Sequence, residues 1–338
     1  MLQEAIRAEV QIRQAPHLQL REHLMSPGKI RLVGLIACIV AFTVPMTPLG
    51  AIAGTLIVTN VSDAGPGSLR QAIADAGSGD LIQIMVAGTI TNVLGELVIS
   101  NNVTIDGPGA SALTISGNGA NRAFNIISPA TVKISRVRLA GCYASSLPGT
   151  PTPFGAEGAS GGAIINSGNL TLTDCMLTGN SAAVGGPGGQ VSTIMYYGGP
   201  GGDGGAIWND GTLTLTSCLI SGSYAGVGGS GGIGTTRSDG GNGGNGGGIY
   251  NSGVLEMRFC SITGNGAGAG GFGGFTSTTP SSGWLGGYGG SGGGMYNGGT
   301  LTMTECTIVG NNAGNGGTGG FGNTPAIGRA AGSGGGRL

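Results

Sequence analysis

Histidine is the first residue type that the sequence lacks where chemistry would need it. The 338-residue chain has two, His17 and His23, and both precede a segment with the features of an export signal. A mature chain without histidine has no histidine general base, no serine–histidine or cysteine–histidine pair and no histidine-ligated zinc. Charge is also scarce, because charged residues make up 9% of the chain and the net charge is −1. This balance gives no electrostatic basis for binding nucleic acid.

The amino-terminal region predicts an export signal. Basic residues precede a long apolar run, and Ala51-Ile52-Ala53 fits a small-residue cleavage site. We predict a leader over residues 1–53, with translation beginning at Met25, and no stable membrane span in the mature chain, since a span needs about 20 apolar residues. Two alternatives stay open, namely a cytoplasmic extension before Met25 and lipidation of Cys38.

Glycine is abundant, with 77 residues, and it clusters between apolar, threonine-rich segments. Four copies of one motif begin GGAIINSG, GGAIWNDG, GGGIYNSG and GGGMYNGG. In each copy a cysteine follows the asparagine by nine residues, and successive copies are 43, 42 and 46 residues apart. A fixed core separated by insertions of variable length predicts stacked units with loops on one face.

Within each copy, apolar and polar residues alternate. In the first copy Leu170 and Leu172 alternate with threonines, and the later copies repeat the pattern. A period of two predicts a strand with one buried face, and a shorter strand precedes and follows it. Three short strands and three bends make one coil of a parallel β-helix, which buries its apolar residues only against the coils above and below.

The pattern extends upstream in degenerate form. Apolar residues there match the inward positions of the first copy at Val132, Ile134, Val137 and Leu139. Further upstream, GSLRQAIADA has helical spacing with Ser68 as the N-cap, and we expect this helix to cover the first coil. The prediction is an all-β, right-handed parallel β-helix over residues 54–312, with a short N-terminal capping helix and long Gly-rich loop insertions. Residues 313–338 read as a Gly-rich tail that resembles the start of a truncated coil.

These segments carry a family resemblance. VTNVSDAGPGSLRQAIADA, VTIDGPGASALTISGNG and the GGAI repeats resemble secreted bacterial right-handed β-helix proteins of the polymorphic outer-membrane protein type and the CSLREA-domain, choice-of-anchor type. The resemblance covers roughly residues 55–312, and its motifs are specific for fold and weak for activity. It implies a secreted or cell-surface protein of the bacterial envelope, on a fold shared with pectate lyases. The long Gly-rich insertions and the missing FxxN phenylalanine depart from the family pattern.

Two columns of the repeat predict structural ladders. Stacked amides can hydrogen-bond along the axis, which predicts a ladder of Asn166, Asn209, Asn251 and Asn297. Coils about 4.8 Å apart place the cysteines of neighbouring copies within the distance range of a disulfide. One interpretation is that they form disulfide bridges; the other, which we favour, is that they are buried free thiols. This column contains Cys175, Cys218, Cys260 and Cys306, with Cys142 outside it. A straight column does not converge on a metal, and we predict neither metal nor cofactor.

The candidate binding residues are aromatic. Trp208, Tyr250 and Tyr296 precede the asparagines and point outward in the predicted strand, forming a ladder suited to stacking on sugar rings or a partner surface. The alternative is that the Gly-rich insertions fold over them. The insertions also contain carboxylates, Glu157, Asp203 and Asp239, whose mutual distances the sequence does not give.

The functional prediction follows from these patterns. We predict a non-enzymatic secreted or cell-surface protein, adhesin-like or an envelope scaffold, with glycans or other surface molecules as partners and no catalytic residues. The alternative is a polysaccharide lyase, a glycosidase or a carbohydrate-binding protein on the same fold. Exposed carboxylates gathered with an arginine or lysine would favour the enzyme.

Overall fold

The computed structural model describes residues 53–145, 154–189, 196–233, 237–275, 283–320, 328–330 and 332. The predicted leader lies outside them, apart from its last residue. The described chain is a right-handed parallel β-helix, which confirms the prediction. Three sheets of eight, seven and six strands run along its axis, and each strand pairs in parallel with its equivalents in neighbouring coils.

The strands are numbered in chain order and grouped by sheet. The eight-stranded sheet contains β1 (Thr55–Val58), β2 (Asp80–Ile84), β5 (Val103–Asp106), β8 (Thr131–Ser135), β11 (Asn169–Thr173), β14 (Thr212–Thr216), β17 (Val254–Arg258) and β20 (Thr300–Thr304). The seven-stranded sheet contains β3 (Gly88–Thr91), β6 (Leu113–Ser116), β9 (Arg138–Ala140), β12 (Met176–Thr178), β15 (Leu219–Ser221), β18 (Ser261–Thr263) and β21 (Thr307–Val309). The six-stranded sheet contains β4 (Leu97–Ile99), β7 (Phe124–Ile126), β10 (Ile164–Asn166), β13 (Ile207–Asn209), β16 (Ile249–Asn251) and β19 (Met295–Asn297).

The core is a set of apolar columns along the axis. Leu170 of β11 stands in register with Val132 below and Leu213 above, and all three are buried. The degenerate upstream segment therefore forms a full coil, as its pattern predicted. Each coil leaves its apolar side chains in water unless another coil covers them, so burial and coil-to-coil pairing form together.

The capping helix also matches its prediction. Helix α1 (Leu69–Asp75) begins after Ser68, whose Oγ accepts a hydrogen bond from the Gln71 backbone N–H, 3.2 Å away. The helix packs beside β1, β2 and β4 and buries Leu69. Asp63 anchors the segment before it, because its carboxylate pairs with Arg70 at 2.8 Å and accepts backbone N–H bonds from β3 to β4 connection residues at 2.7 Å.

At one bend of each repeat coil, a residue other than glycine adopts the left-handed backbone conformation. The residue between the long strand and the strand that follows it has φ between 52° and 56° in Asp174, Ser217, Phe259 and Glu305. These are the residues directly before the cysteine column. Their side chains turn away from the core, and the Phe259 side chain is 55% exposed. The left-handed backbone conformation therefore defines this position in each coil. Its two acidic residues, Asp174 and Glu305, lie in coils that are not adjacent.

The Gly-rich insertions have a regular backbone. The sequence analysis predicted loops here. In the structure, one extended segment precedes the three strands of each repeat coil and another follows them. We call the segments at 154–161, 196–204, 237–246 and 283–292 the inbound arms. The segments at 181–189, 224–233, 266–275 and 312–320 are the outbound arms. The inbound arms form one layer, and the outbound arms form a second layer against it.

Hydrogen bonds in the arms repeat every three residues. In one outbound arm the N–H groups of Ala225, Gly228 and Gly231 donate to the next outbound arm. The residues that follow them, starting with Gly226, donate to the antiparallel inbound arm of the other layer. Three residues per turn and no bonds within the segment are the pattern of a polyproline II helix. The third residue of each turn faces outward and carries the side chain.

Glycine is required where two arms meet backbone to backbone. A Cβ atom on Gly226 would overlap the carbonyl oxygen of Ala183 in the neighbouring arm, and one on Gly268 would overlap the carbonyl of Gly226. The same overlap recurs throughout both layers. The clashing atoms belong to backbone, so a side-chain rotation cannot relieve them. The high glycine content therefore encodes a packed block rather than disorder.

We expect Gly226→Ala to lower the free energy of unfolding by about 2–3 kcal/mol, because the new methyl group must separate two hydrogen-bonded arms. Gly298→Ala is the matched control, since a Cβ there meets no atom closer than 3.7 Å. It should change stability by less than about 0.5 kcal/mol. Urea unfolding followed by circular dichroism measures both, and equal stability of the two variants would contradict the packed block.

Candidate functional site

The predicted asparagine column lies in register on the six-stranded sheet. The Asn166 side-chain amide donates to Asn209 Oδ1 at 2.6 Å, Asn209 donates to Asn251 at 2.7 Å, and Asn251 donates to Asn297 at 2.6 Å. Asn166, Asn209 and Asn251 are fully buried. Asn209 and Asn251 both donate and accept along the axis, so the ladder side chains are occupied in holding coils together.

A second polar ladder was missed by the sequence analysis. It lies at the end of the third strand of each coil and contains Asn180, Ser223, Asn265 and Asn311. Its side chains accept from the backbone of the preceding coil, as in Asn265 Oδ1 with the Ser223 N–H at 2.9 Å. Cys142 belongs to this column, because its N–H donates to Asn180 Oδ1 at 3.0 Å. The sequence signal for this ladder is the Gly-Asn pair that ends at Asn180, Asn265 and Asn311.

In the cysteine column Cys175, Cys218 and Cys260 are buried, Cys306 is half-buried, and all four thiols are free. Cys175 and Cys218 are hydrogen-bonded to backbone carbonyls at 3.3 Å, two residues back in each case. Hydrogen bonding to Cys175 and Cys260, together with burial, raises the pKa of Cys218. Burial raises the pKa of Cys142 to about 12. As protonated buried thiols, Cys142 and Cys218 are poor nucleophiles and poor metal ligands, whereas hydrogen bonding to Cys218 lowers the pKa of Cys175 and Cys260. The described residues contain no group of three side chains able to hold a metal ion.

The aromatic column forms a continuous stack. The rings of Trp208 and Tyr250 lie 6.3 Å apart at an interplanar angle of 2°, and those of Tyr250 and Tyr296 lie 5.3 Å apart at 7°. All three side chains are half-buried. Ring faces therefore meet one another along the axis, and the stack shows its edges to solvent. Trp208 and Tyr296, at the two ends of the stack, each have one face with no aromatic neighbour among the described residues.

This geometry changes the expected binding mode. A sugar cannot stack on the face of Tyr250, because a neighbouring ring covers each side. Among the described residues, the inbound arms run along the border of the ladder, and the three aromatic side chains stay half-buried. A Cβ on Gly161 would lie 3.2 Å from the Trp208 Cβ, which places the first inbound arm directly beside the stack.

Polar side chains of the inbound arms run parallel to the aromatic column. Ser160 Oγ accepts from the Asp203 N–H at 3.0 Å, and Asp203 Oδ1 accepts from the Asn245 N–H at 2.6 Å. Asn245 Oδ1 in turn accepts from the Ser291 N–H at 2.9 Å. We call the aromatic stack and this polar column together the aromatic strip.

Asp203 is the electrostatic centre of the strip. Burial raises the pKa of its carboxyl group, against the lowering effect of hydrogen bonds from Asn245, and the Glu157 carboxylate raises it further. Asp203 also acts on Tyr250, whose phenol pKa is raised by burial and by this nearby carboxylate. Two carboxylates of the three noted in the sequence thus come together. The third, Asp239, pairs with Arg237 at 2.6 Å.

One end of the strip carries an ion pair. Arg122 donates from Nε to the backbone oxygens of Ser160 and Gly161 at 3.0 Å and pairs with Glu96 at 2.8 Å. Glu96 also accepts from Asn125, which occupies the same column as the aromatic rings one coil before Ile165. No sequence pattern pointed to this cluster, because its members are far apart in the chain.

A separate pocket lies beside helix α1. It has a volume of about 320 Å³, and its lining includes Arg70, Ile73 and Val98. The Arg70 guanidinium is already committed to Asp63 and to the backbone oxygens of Gly95 and Glu96. The Arg70 guanidinium is therefore occupied by these partners rather than available to a ligand in the pocket, and the aromatic strip is the better candidate site.

Comparisons with known proteins give partial likenesses. No protein-family model matches the chain. A segment of 85 residues is 38% identical to a protein named "Probable pectate lyase C" from Emericella nidulans, covering 25% of this chain and 19% of that protein. Proteins of the same name from Aspergillus terreus and Aspergillus fumigatus are 34% identical over 85 residues, with the same coverage. The chain thus spans about a fifth of the length of the curated relatives it matches.

Among solved structures, ORF18 of Geobacillus virus E2 aligns with 77% of this chain and 61% of its own, at 13% identity and a TM-score of 0.27. In the part of the chain that the structure describes, no helix has the length and apolar character to cross a membrane.

We expect Asp203→Asn to stabilise the protein at about pH 7. A raised pKa means that the native state binds the proton more tightly than the unfolded state, so ionised Asp203 lowers stability at neutral pH. The asparagine keeps an oxygen for Asn245 and removes this cost. The difference from the wild type should shrink as the pH falls through the raised pKa of the folded state, and should vanish below about 4, where the unfolded carboxyl is protonated too. Thermal unfolding across this pH range tests the sign.

We expect Asn209→Leu to lower the free energy of unfolding by about 2–4 kcal/mol, because it leaves buried amide partners in two coils without their bonds. Asn297→Leu is the control at the exposed end of the ladder, and it should cost less than about 1 kcal/mol. Denaturant unfolding distinguishes the two, and similar losses would show that the ladder does not act along its length.

Proposed function

We propose that this chain is a non-enzymatic secreted or cell-surface β-helix protein, adhesin-like, that binds an extended carbohydrate along the aromatic strip. On this proposal it is a protein of the polymorphic outer-membrane or CSLREA-domain type from a bacterial envelope. The observation that carries the proposal is the pairing of the aromatic stack with a polar column over the same coils.

The chemistry of the strip suits a sugar chain. Each ring presents an apolar edge, and the tyrosines carry a hydroxyl at the end far from the backbone, where it can donate and accept. The neighbouring carboxylate and amide side chains complement sugar hydroxyls. Coils repeat these groups about every 4.8 Å, so the strip offers similar contacts to successive units of a polymer.

The named relatives support the same ligand class. Proteins called pectate lyase match a quarter of the chain, and that name denotes action on an acidic polysaccharide. Because the match covers a fifth of each relative, their activity is not carried over to this chain.

A carbohydrate-active enzyme is the second candidate, favoured by Asp203 and Glu157. Two neighbouring carboxyl groups in different environments are the arrangement that separates an acid from a base. The case is weaker because Asp203 Oδ1 already accepts two bonds from Asn245, and because Glu96 and Arg122 neutralise each other. For these reasons, carbohydrate binding without bond cleavage is the function that we propose first.

The test uses oligogalacturonides and neutral oligosaccharides as probes for titration calorimetry. We expect binding to weaken about tenfold in Trp208→Ala and Tyr296→Ala, from the loss of ring contacts. Phe259→Ser is the control, since that exposed ring lies at the left-handed corner and not in the strip. Equal affinity in all variants would remove the strip as a binding site. New reducing ends or unsaturated products that disappear in Asp203→Asn would establish the enzyme instead.

A further inference from the structure

The two outer faces of the glycine block differ in their hydrogen bonding. On the inbound side, side chains of one coil accept from the outward N–H groups of the next. Asp239 Oδ1 accepts from Leu285 at 3.1 Å, and Asn242 Oδ1 accepts from Tyr288 at 3.0 Å. The inbound face therefore satisfies several of its own backbone donors with side-chain oxygens.

The outbound face satisfies fewer of its donors, although the Val184 N–H donates to the Tyr143 hydroxyl at 3.4 Å. Its outward residues are every third residue of the outbound arms, and their carbonyl oxygens accept from the preceding arm, as Val227 does from Gly185. Their N–H groups find no acceptor among the described residues at Val227, Ser230, Ala269, Phe272, Asn315 and Thr318. The face thus presents a regular array of backbone donors whose matching acceptors are already used.

The side chains of this face are uncharged and largely apolar. The described outbound arms contain no Asp, Glu, Lys or Arg. Tyr224 is 55% exposed, Val227 43%, Phe272 64% and Phe275 50%. Rows lie about 4.8 Å apart across the arms, and outward residues recur about every 9.3 Å along them, so the face covers about 500 Å². A patch of this kind marks an interaction site.

Hydrogen bonding excludes two occupants. A lipid surface offers no acceptor in its hydrocarbon region, so burying six N–H groups there would be costly. A second copy of the same face would set donors against donors. Its area is also below the roughly 800 Å² per partner that a stable protein interface buries. The occupant must combine apolar surface with many acceptor oxygens and carry no requirement for charge.

We propose that the outbound face binds a flat, uncharged polysaccharide, with pyranose rings over Phe272 and Tyr224 and hydroxyl oxygens accepting from the free N–H groups. Sugar rings provide apolar C–H faces for aromatic contact and oxygen acceptors at their rims. A proline-rich peptide also has acceptors, but such peptides dock in aromatic-lined grooves, and this face is flat. The site is distinct from the aromatic strip and goes beyond the function proposed above.

The test is depletion of the purified chain by microcrystalline cellulose and by chitin powder. Phe272→Ser should weaken retention about five- to tenfold, from loss of one aromatic contact. Ala269→Pro removes one of the free donors while keeping the extended backbone, because proline fits a polyproline II segment and this N–H holds no structural bond. It should weaken retention about three- to tenfold. Phe259→Ser is the matched control and should bind like the wild type.

Several outcomes would overturn the proposal. Wild-type protein that stays in solution with both powders would do so, as would equal retention of Phe272→Ser and Phe259→Ser when circular dichroism shows both folded. Capture on immobilised polyproline that depends on Phe272, without retention on cellulose or chitin, would assign a peptide instead. Retention lost in Tyr296→Ala but kept in Phe272→Ser would place the powder site on the aromatic strip and leave only the function proposed above standing.

Discussion

The rise of about 4.8 Å between coils, set by hydrogen bonds between parallel neighbours, is the constraint on which the whole structure depends. In the strands it places side chains from equivalent positions of successive coils in columns, which we also call files. Leu170 thus covers Val132 and is covered by Leu213. In the arms the same rise governs chains that also pack against a second layer. There the backbone itself fills the interior, and only glycine leaves enough room. One spacing thus explains both the apolar columns and the glycine content.

The spacing also decides which side chains can be repeated. Amides tolerate a file because each donates to the next, as Asn166 does to Asn209. Aromatic rings tolerate it by stacking, which hides their faces and exposes their edges. Carboxylates at this distance would repel one another. Accordingly the polar column beside the rings holds Asp203 between Ser160 and Asn245, and its hydrogen bonds with Asn245 partly offset the cost of burial.

Much of the β-helix could be predicted from the sequence because its signal is local and repeated. The period of two gave the strands, Ser68 gave the start of the helix, and the fixed spacing gave the files. The regular arms were not predicted, because a three-residue pattern of glycine is also what a flexible linker looks like. What separates them is a partner layer, and that information lies in contacts between distant segments.

The candidate site shows the same division. The sequence predicted the column of Trp208, but not that its ring faces are occupied, since ring orientation depends on the neighbouring coil. It named Glu157 and Asp203 without their proximity, which arises only when two inbound arms lie side by side. The Arg122 and Glu96 pair had no signal at all. A column of equivalent residues can be predicted from the repeat pattern alone. Contacts between different columns can be identified only from the folded structure.

This distinction bears on function. Residues in one file point the same way and are related by a simple translation, which suits contact with successive units of a polymer. Catalysis instead needs unlike groups that converge on one bond, and so must draw on different files. Among the described residues, Asp203 and Glu157 are the acids whose electrostatic interaction across neighbouring arms approaches that arrangement. Everything else exposed on the strip and on the outbound face is a repeated, outward array, and the architecture therefore favours recognition of an extended ligand over its cleavage.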